Sequence, residues 1–343
     1  MTRPRLILHV GHPKTGSSAL QSAFALSIDA LARAGLHYPR PAKFAEAVRG
    51  GITSGNFNPA RVADAYDAAV AAAPGCAAVL LSNEACFRIY QTDTQQLGRL
   101  RDRGVEVEVI LFVRDPFEVE LSSHMQGLKR GGVSRRFRLQ AGGGRFLDLT
   151  GAFLDTCARL GLRLKVRNYS RLRDRLLPET EALLEVPPGT LTPPPVGQVN
   201  RSLTRAEMAL MSALNAALPG QVSAAIADAL CTDLPDIPSE APAVSEAEYQ
   251  RYLEMIAPRV EALNARLPPE AAYRLRPYAE LADRLRPETA EDLRLSDRQL
   301  AVLTRALAAT TGLGAGPSDR APDPTGGANG LMRRLRSLAL PRR

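Results

Sequence analysis

The feature that most constrains this fold is a junction near the start of the chain, Arg5-Leu-Ile-Leu-His-Val-Gly-His-Pro-Lys-Thr-Gly-Ser-Ser18. Leu6 to Val10 reads as a short buried strand, and Gly11 to Gly16 as a turn. From Ala19 to Ala34 apolar residues recur at Leu20, Phe24, Ile28 and Leu31 with helical spacing, and Gly35 ends the helix. Strand, glycine-bearing turn and helix N-terminus in that order make an anion cradle. The first helical N–H groups lack intrahelical partners, and the helix dipole favours negative charge there. Gly16 lets the backbone approach an anion closely, Ser17 and Ser18 add hydroxyl donors, and Lys14 adds a point charge. Alone, the junction also fits a strand-to-helix turn that binds nothing.

The spacing narrows the choice. A Walker A loop runs glycine, four residues, then Gly-Lys-Ser/Thr. Gly11 and Gly16 keep the glycine spacing, but position 17 is serine and the lysine stands inside the loop at 14. That shift suits a nucleotide with a short 5′ chain. Lys14-Thr-Gly-Ser-Ser18 after a strand resembles the 5′-phosphosulfate loop of sulfotransferases that use 3′-phosphoadenosine 5′-phosphosulfate (PAPS). The longer phrase Lys14-Thr-Gly-Ser-Ser-Ala-Leu-Gln21 is similar to the bacterial branch of that family. The resemblance implies that Lys14, Thr15, Gly16, Ser17 and Ser18 hold the co-substrate.

Further on, strand and helix patterns alternate. Leu36-His-Tyr-Pro39 is short and extended, with His37 structural; residues 40–60 form a loop-rich insertion that suits an acceptor-side lid and a mere connector equally, and Arg61 to Ala73 a helix. Ala77 to Ser82 reads as a strand ending at Asn83-Glu84, residues 93–103 as a helix, and Val105 to Val113 as the clearest strand, followed by Arg114-Asp-Pro116. Pro116 at a first helical position opens a helix to about Arg130, and Gly131-Gly132 stops it. Gly142-Gly-Gly144 reads as a joint, 145–160 as a helix, and Leu162 to Asn168 as a fourth strand. Continuous apolar strands alternating with helices predict an α/β fold: three layers, a central parallel sheet and a P-loop-like phosphate site. Beyond 177 strands disappear; helices are expected near 203–217, 220–231, 245–266 and 296–311, the first with a Thr204/Glu207 capping box. The organisation reads as an α/β core over 1–177, a mainly helical part over 178–311 in the same or an appended domain, and a disordered tail with a basic end over 312–343.

In a parallel α/β sheet ligands gather at the carboxyl ends of the strands, so Arg114 should face the crevice of the opening loop. An arginine fork and a hydroxyl one to two helical turns apart can grip one phosphate together. Arg114 with Ser122 eight positions later resembles the sulfotransferase 3′-phosphate site, as do the flanking Val109-Ile-Leu-Phe-Val-Arg-Asp-Pro116 and Ser122-Ser-His-Met-Gln-Gly-Leu-Lys129. More loosely, Leu164 to Tyr169 and Asn200-Arg-Ser-Leu203 continue the likeness; Arg201 could extend to the 3′-phosphate, though a plain loop arginine accounts for it as well. The resemblance implies sulfuryl transfer from PAPS to a hydroxyl or amine. Lys14 would neutralise the leaving oxygen with no metal required, and a carboxylate or imidazole would act as base. Glu84, beyond the second long strand, ranks first for that role, then His124, then His12.

Composition excludes other classes. The 343 residues can bury a large core. No apolar run is long enough to span a bilayer and no signal-peptide pattern precedes the first strand, so a cytoplasmic protein is expected. The cysteines, Cys76, Cys86, Cys157 and Cys231, are far apart and read as reduced thiols, not as a disulfide frame or zinc site. Net charge is +8, but five arginines and no acid lie within 330–343, so the body carries eight minus five, or +3. That is a weak nucleic-acid signal, and no nucleic-acid partner is expected. An anionic co-substrate, and an anionic acceptor, would account for a basic cleft. The acceptor reads only as a small molecule or glycan, with glycans favoured by the 5% aromatic content. The competing readings are a P-loop kinase-like phosphotransferase, against which Gly-Lys-Ser/Thr is missing, and a non-catalytic nucleotide- or glycan-binding domain.

Overall fold

A computed structural model describes residues 3–12, 14–51, 53, 55–139, 144–195, 201–218 and 222–311. Five strands, β1 (Arg5–Gly11), β2 (Leu36–His37), β3 (Ala78–Asn83), β4 (Val107–Val113) and β5 (Arg163–Asn168), form one parallel sheet in the order β2-β3-β1-β4-β5. In chain order the helices are α1 (Ser17–Leu26), α2 (Ile28–Arg33), α3 (Phe44–Val48), α4 (Val62–Ala72), α5 (Cys86–Ile89), α6 (Gln95–Asp102) and α7 (Pro116–Lys129). They continue with α8 (Arg145–Leu160), α9 (Leu176–Leu184), α10 (Arg205–Ala217), α11 (Ser223–Asp233), α12 (Glu246–Asn264), α13 (Ala282–Leu285) and α14 (Asp297–Thr311). The α/β class with a parallel sheet is as the strand patterns predict.

The continuous apolar runs of β3 and β4 are buried along their whole length because helices cover both faces. Leu6, Leu8 and Val10 of β1 pack into one core with α4, α6, α8 and α12; Ile7 points to the other face, covered by α1, α2 and α9. A period of two along one strand thus feeds two cores. Tyr252, Ile256 and Val260 bring α12 into the first core, and Leu183 and Leu184 bring α9 into the second. The helical half and the sheet share one interior, and a boundary at 177 falls inside α9. The helices α10, α11 and α14 pack on Met125 and Leu128 of α7.

Several details depart from the patterns. The helix drawn from Ala19 to Ala34 begins at Ser17 and breaks at Ser27, whose backbone leaves the helical region and whose hydroxyl accepts from the Thr192 amide at 2.7 Å. The short helices α5 and α13 are too brief to show periodicity, and α9 hides behind Pro178, which sits in its first turn where no N–H is needed. The capping box at Thr204 and Glu207 forms. Within the insertion over 40–60, residues 55–59 are pinned to β3 and α5, and Gly50 lines the cavity described below. Asn56 Oδ1 accepts from the Ser82 amide at 2.8 Å, Asn83 Nδ2 donates to Phe57 O at 2.7 Å, and Tyr90 Oη donates to Pro59 O. A side chain at Gly55 would collide with Ser82 O, so the segment lies directly on β3. The joint at 142–143 and the tail over 312–343 lie outside the described residues.

His9 shows how the sheet handles a buried base. Its Nδ1 meets Ser82 Oγ at 2.8 Å, its ring sits between Phe24 and Phe112, and burial drives its pKa down to about 4. The unfolded chain therefore binds a proton below pH 6.5 that the folded chain refuses until about pH 4. Stability is full above 6.5 and falls with pH; at pH 4 the loss from this residue reaches about 3 kcal/mol. Urea midpoints of wild type and His9→Leu, followed from pH 7 to 4, should show the shallower acid slope in the variant. Identical slopes would contradict this account.

Candidate functional site

In the sheet, β1 pairs with β3 and β4 such that Val10 lies beside Asn83 and Gly11 beside Phe112. The residues that follow these strand ends, Lys14, Glu84 and Arg114, therefore arrive at one edge. Gly11 and Gly16 make the convergence possible. A Cβ on Gly11 would stand 2.7 Å from Ser17 Oγ and 2.8 Å from Glu84 Cγ; one on Gly16 would stand 2.8 Å from Leu176 Cδ2. Gly16, at φ +79°, also supplies the left-handed residue from which α1 starts. Lys14 is itself left-handed at φ +69°, a conformation that costs a non-glycine residue about 1 kcal/mol or more. Two bonds hold the turn: Thr15 Oγ1 donates to His12 O at 2.7 Å, and Arg114 Nη1 donates to Lys14 O at 2.8 Å.

Lys14 and Glu84 form the polar centre. Burial lowers the Lys14 pKa, with Arg114, Lys129 and Arg130 pushing the same way and Glu84 opposing them. Burial raises the Glu84 pKa, while the Lys14 charge and the Ser17 hydroxyl work in the other direction. A lysine shifted down and a carboxyl shifted up, side by side in a cleft, is the pattern of groups poised for proton and charge work.

The second cationic group lies between the end of β4 and the start of α7. Arg114 Nε donates to Glu118 Oε2 at 3.1 Å, and its guanidinium carbon lies 5.5 Å from the centre of the Tyr169 ring. Ser122, one turn beyond Glu118, continues the same stripe of α7, followed by Met125 and Lys129. Asn168 Nδ2 donates to Asp115 Oδ1 at 2.8 Å and to Ala272 O at 2.9 Å, while the Arg274 amide donates to Asp115 Oδ1 at 3.0 Å. These bonds draw residues 272–276 against the sheet edge and bring Arg276 Nη2 within 3.6 Å of Glu118 Oε1. A cavity of about 1270 Å³ joins all of this; Lys14, Gly16, Ser17, Ser18, Glu84, Arg114 and Ser122 line it.

Other residues singled out from the sequence stand apart from that group. Thr15 is buried, its hydroxyl spent on the turn. His124 is on α7 but two residues round from Ser122, its ring 5.0 Å from Phe137 instead of in the cavity, and burial together with Arg135 lowers its pKa. His12 is buried between the rings of Phe87 and Phe146. His37 sits in β2 at the sheet edge, its pKa lowered by burial. Glu84 is thus the candidate base that lines the cavity. Arg201 borders the cavity but is committed inward: its guanidinium makes two 2.7 Å bonds to Glu207 and donates to the carbonyls of Ser202, Leu230 and Leu234. It is more tightly held than a plain loop arginine. Conversely, sequence reasoning passed over Glu118, Tyr169 and Arg276 as site residues. Glu118 had a signal, its i,i+4 spacing from both Arg114 and Ser122; Arg276 had none, since the fold alone brings it there.

No helix among the described residues is long and apolar enough to cross a membrane, and none of their His, Cys, Asp and Glu side chains cluster in groups able to hold a metal ion. No family model, curated protein or solved structure matches this chain.

Proposed function

We propose that the chain is a PAPS-dependent sulfotransferase acting on an acceptor hydroxyl or amine. One observation carries the reading: Lys14 before α1, Glu84 just past β3, Arg114 just past β4 and Ser122 on α7 open onto a single cavity. The glycine cradle suits a phosphate held by backbone N–H groups, and Arg114 and Ser122, which line the same cavity, are the groups offered to a second phosphate.

In this reading the N–H groups of Gly16 to Ser18 hold the 5′-phosphate, and Arg114 and Ser122 hold the 3′-phosphate. Lys14 places its charge where the leaving oxygen becomes negative. The sulfur–oxygen bond to the 5′-phosphate breaks, and a bond forms from sulfur to the acceptor's hydroxyl oxygen or amine nitrogen. The acceptor proton passes to the Glu84 carboxylate, and adenosine 3′,5′-bisphosphate leaves. The protein contributes alignment and charge stabilisation, as in phosphoryl transfer.

Calorimetric titration with adenosine 3′,5′-bisphosphate and with ATP, each with and without Mg²⁺, tests the reading. Tight, Mg²⁺-independent binding of the bisphosphate is expected; preference for Mg²⁺–ATP would favour a phosphotransferase and overturn it. The pKa shifts give a second test. With Glu84 raised and Lys14 lowered, kcat/KM should rise with pH through a point above the usual carboxylate range and fall before the usual lysine range. Glu84→Gln should lose the acid limb and about 10²–10⁴-fold of rate. Retention of both would remove Glu84 as the base.

A further inference from the structure

The cavity extends past the residues assigned above. At about 1270 Å³ it exceeds the roughly 300–1,000 Å³ of a single small-molecule pocket. Its second half lies between α7 and the part of the chain beyond residue 200, where Ile237, Pro238, Leu281 and Arg284 form the opposite wall. We infer that this half binds the acceptor, and that the acceptor is an anion with an apolar body. The inference rests on the sulfotransferase reading for the word acceptor; the charge preference rests on the wall itself.

The apolar part is direct: Leu121 and Met125 on α7 line the cavity together with Ile237 and Pro238. The charge argument comes from which ionic groups are already matched. Asp236 is held by Arg298 through two bonds of 2.7 and 2.9 Å, and Glu240 accepts from the Arg205 amide at 2.7 Å. Asp115 accepts from Asn168 and from the Arg274 amide. Glu118 is shared between Arg114 and Arg276. On the cationic side, Arg284 and Lys129 have no carboxylate within ion-pair distance among the described residues; the Lys129 ammonium donates to Arg201 O, and the bonds of Arg284 are made by its backbone, the N–H donating to Leu281 O and the carbonyl accepting from Arg205. Two cations thus line the cavity with the apolar strip; of the nearby acids, Asp236 and Glu118 are ion-paired, while Glu240 and Asp115 are fixed by N–H donors that hold them in place. A wall of this kind attracts an anion and orients it.

The probes are 4-nitrophenyl β-D-glucuronide and 4-nitrophenyl β-D-glucoside, which share an aromatic body and a sugar and differ in a carboxylate. Each is titrated calorimetrically into the full chain, with adenosine 3′,5′-bisphosphate saturating and also without it. The glucuronide should bind about tenfold more tightly than the glucoside, the scale of one charge-assisted contact. In Arg284→Gln, a change to an exposed side chain, that preference should shrink to about twofold while affinity for the bisphosphate holds. Equal affinities, binding by neither probe, or a preference unchanged in both Arg284→Gln and Lys129→Gln would overturn the inference. The two readings fail separately. Bisphosphate binding without a charge preference leaves the sulfotransferase reading and removes this one. A charge preference without bisphosphate binding does the reverse, leaving an anion site on a protein of other activity.

Discussion

Replacing Lys14 by alanine should lower sulfuryl turnover by about 10²–10³-fold, the cost of one preorganised donor at a developing charge. Affinity for adenosine 3′,5′-bisphosphate should fall much less, about tenfold: the leaving oxygen stays on the product's 5′-phosphate, but the helix N–H groups and Arg114 still hold it. Initial rates at saturating PAPS and acceptor, set beside calorimetry on the same preparation, separate the two quantities. A loss divided equally between kcat and affinity would make Lys14 a general phosphate ligand rather than one that acts on the transition state. Its environment argues for the second role: burial and neighbouring cations make its charge expensive in the free protein, so a new negative charge beside it has more to gain.

Arg201→Ala should have the largest effect on stability, about 3–5 kcal/mol, as is usual when one partner of a buried ion pair is removed. The reason is geometric. Five bonds converge on one buried guanidinium from Glu207, Ser202, Leu230 and Leu234, and Gln299 Nε2 completes the carboxylate at 2.8 Å. Arg201→Lys, which keeps the charge but loses the planar fork, should recover part of the loss. Urea unfolding measures both, and the folded fraction of either variant should bind adenosine 3′,5′-bisphosphate as wild type does. A normal unfolding midpoint with weakened nucleotide binding would return Arg201 to the anion site.

The parts of this molecule that could be read from the sequence are those set by neighbours in the chain. β1, β3 and β4 announce themselves as apolar runs, and the turn before α1 by its glycines and hydroxyls. Because the sheet is parallel, everything just past those strands is delivered to one edge, which is why Lys14, Glu84 and Arg114 could be listed together. What could not be read depends on distant partners. His124 carries a chemistry-bearing side chain on a helix that does line the cavity, and only the packing of Phe137 shows it is turned aside. Arg201 resembles any loop arginine until Glu207, its own helix and α11 close around it. Composition marks 40–60 only as a loop-rich insertion, and the three side-chain bonds that fix residues 56–59 to the ends of β3 and α5 come from partners distant in the chain.

The 2.8 Å bond from Arg114 to the carbonyl of Lys14 has a consequence of its own. A single proton stitches the exit of one strand to the backbone of the turn after another, so the two ends of the cleft share a hinge and are tuned together. Removing the Arg114 side chain should then loosen the turn that carries Lys14, whereas removing the Lys14 side chain leaves the bond in place. A ligand that fills only one end, such as adenosine 5′-monophosphate, would meet a pocket whose far grip still dictates the shape of the near one.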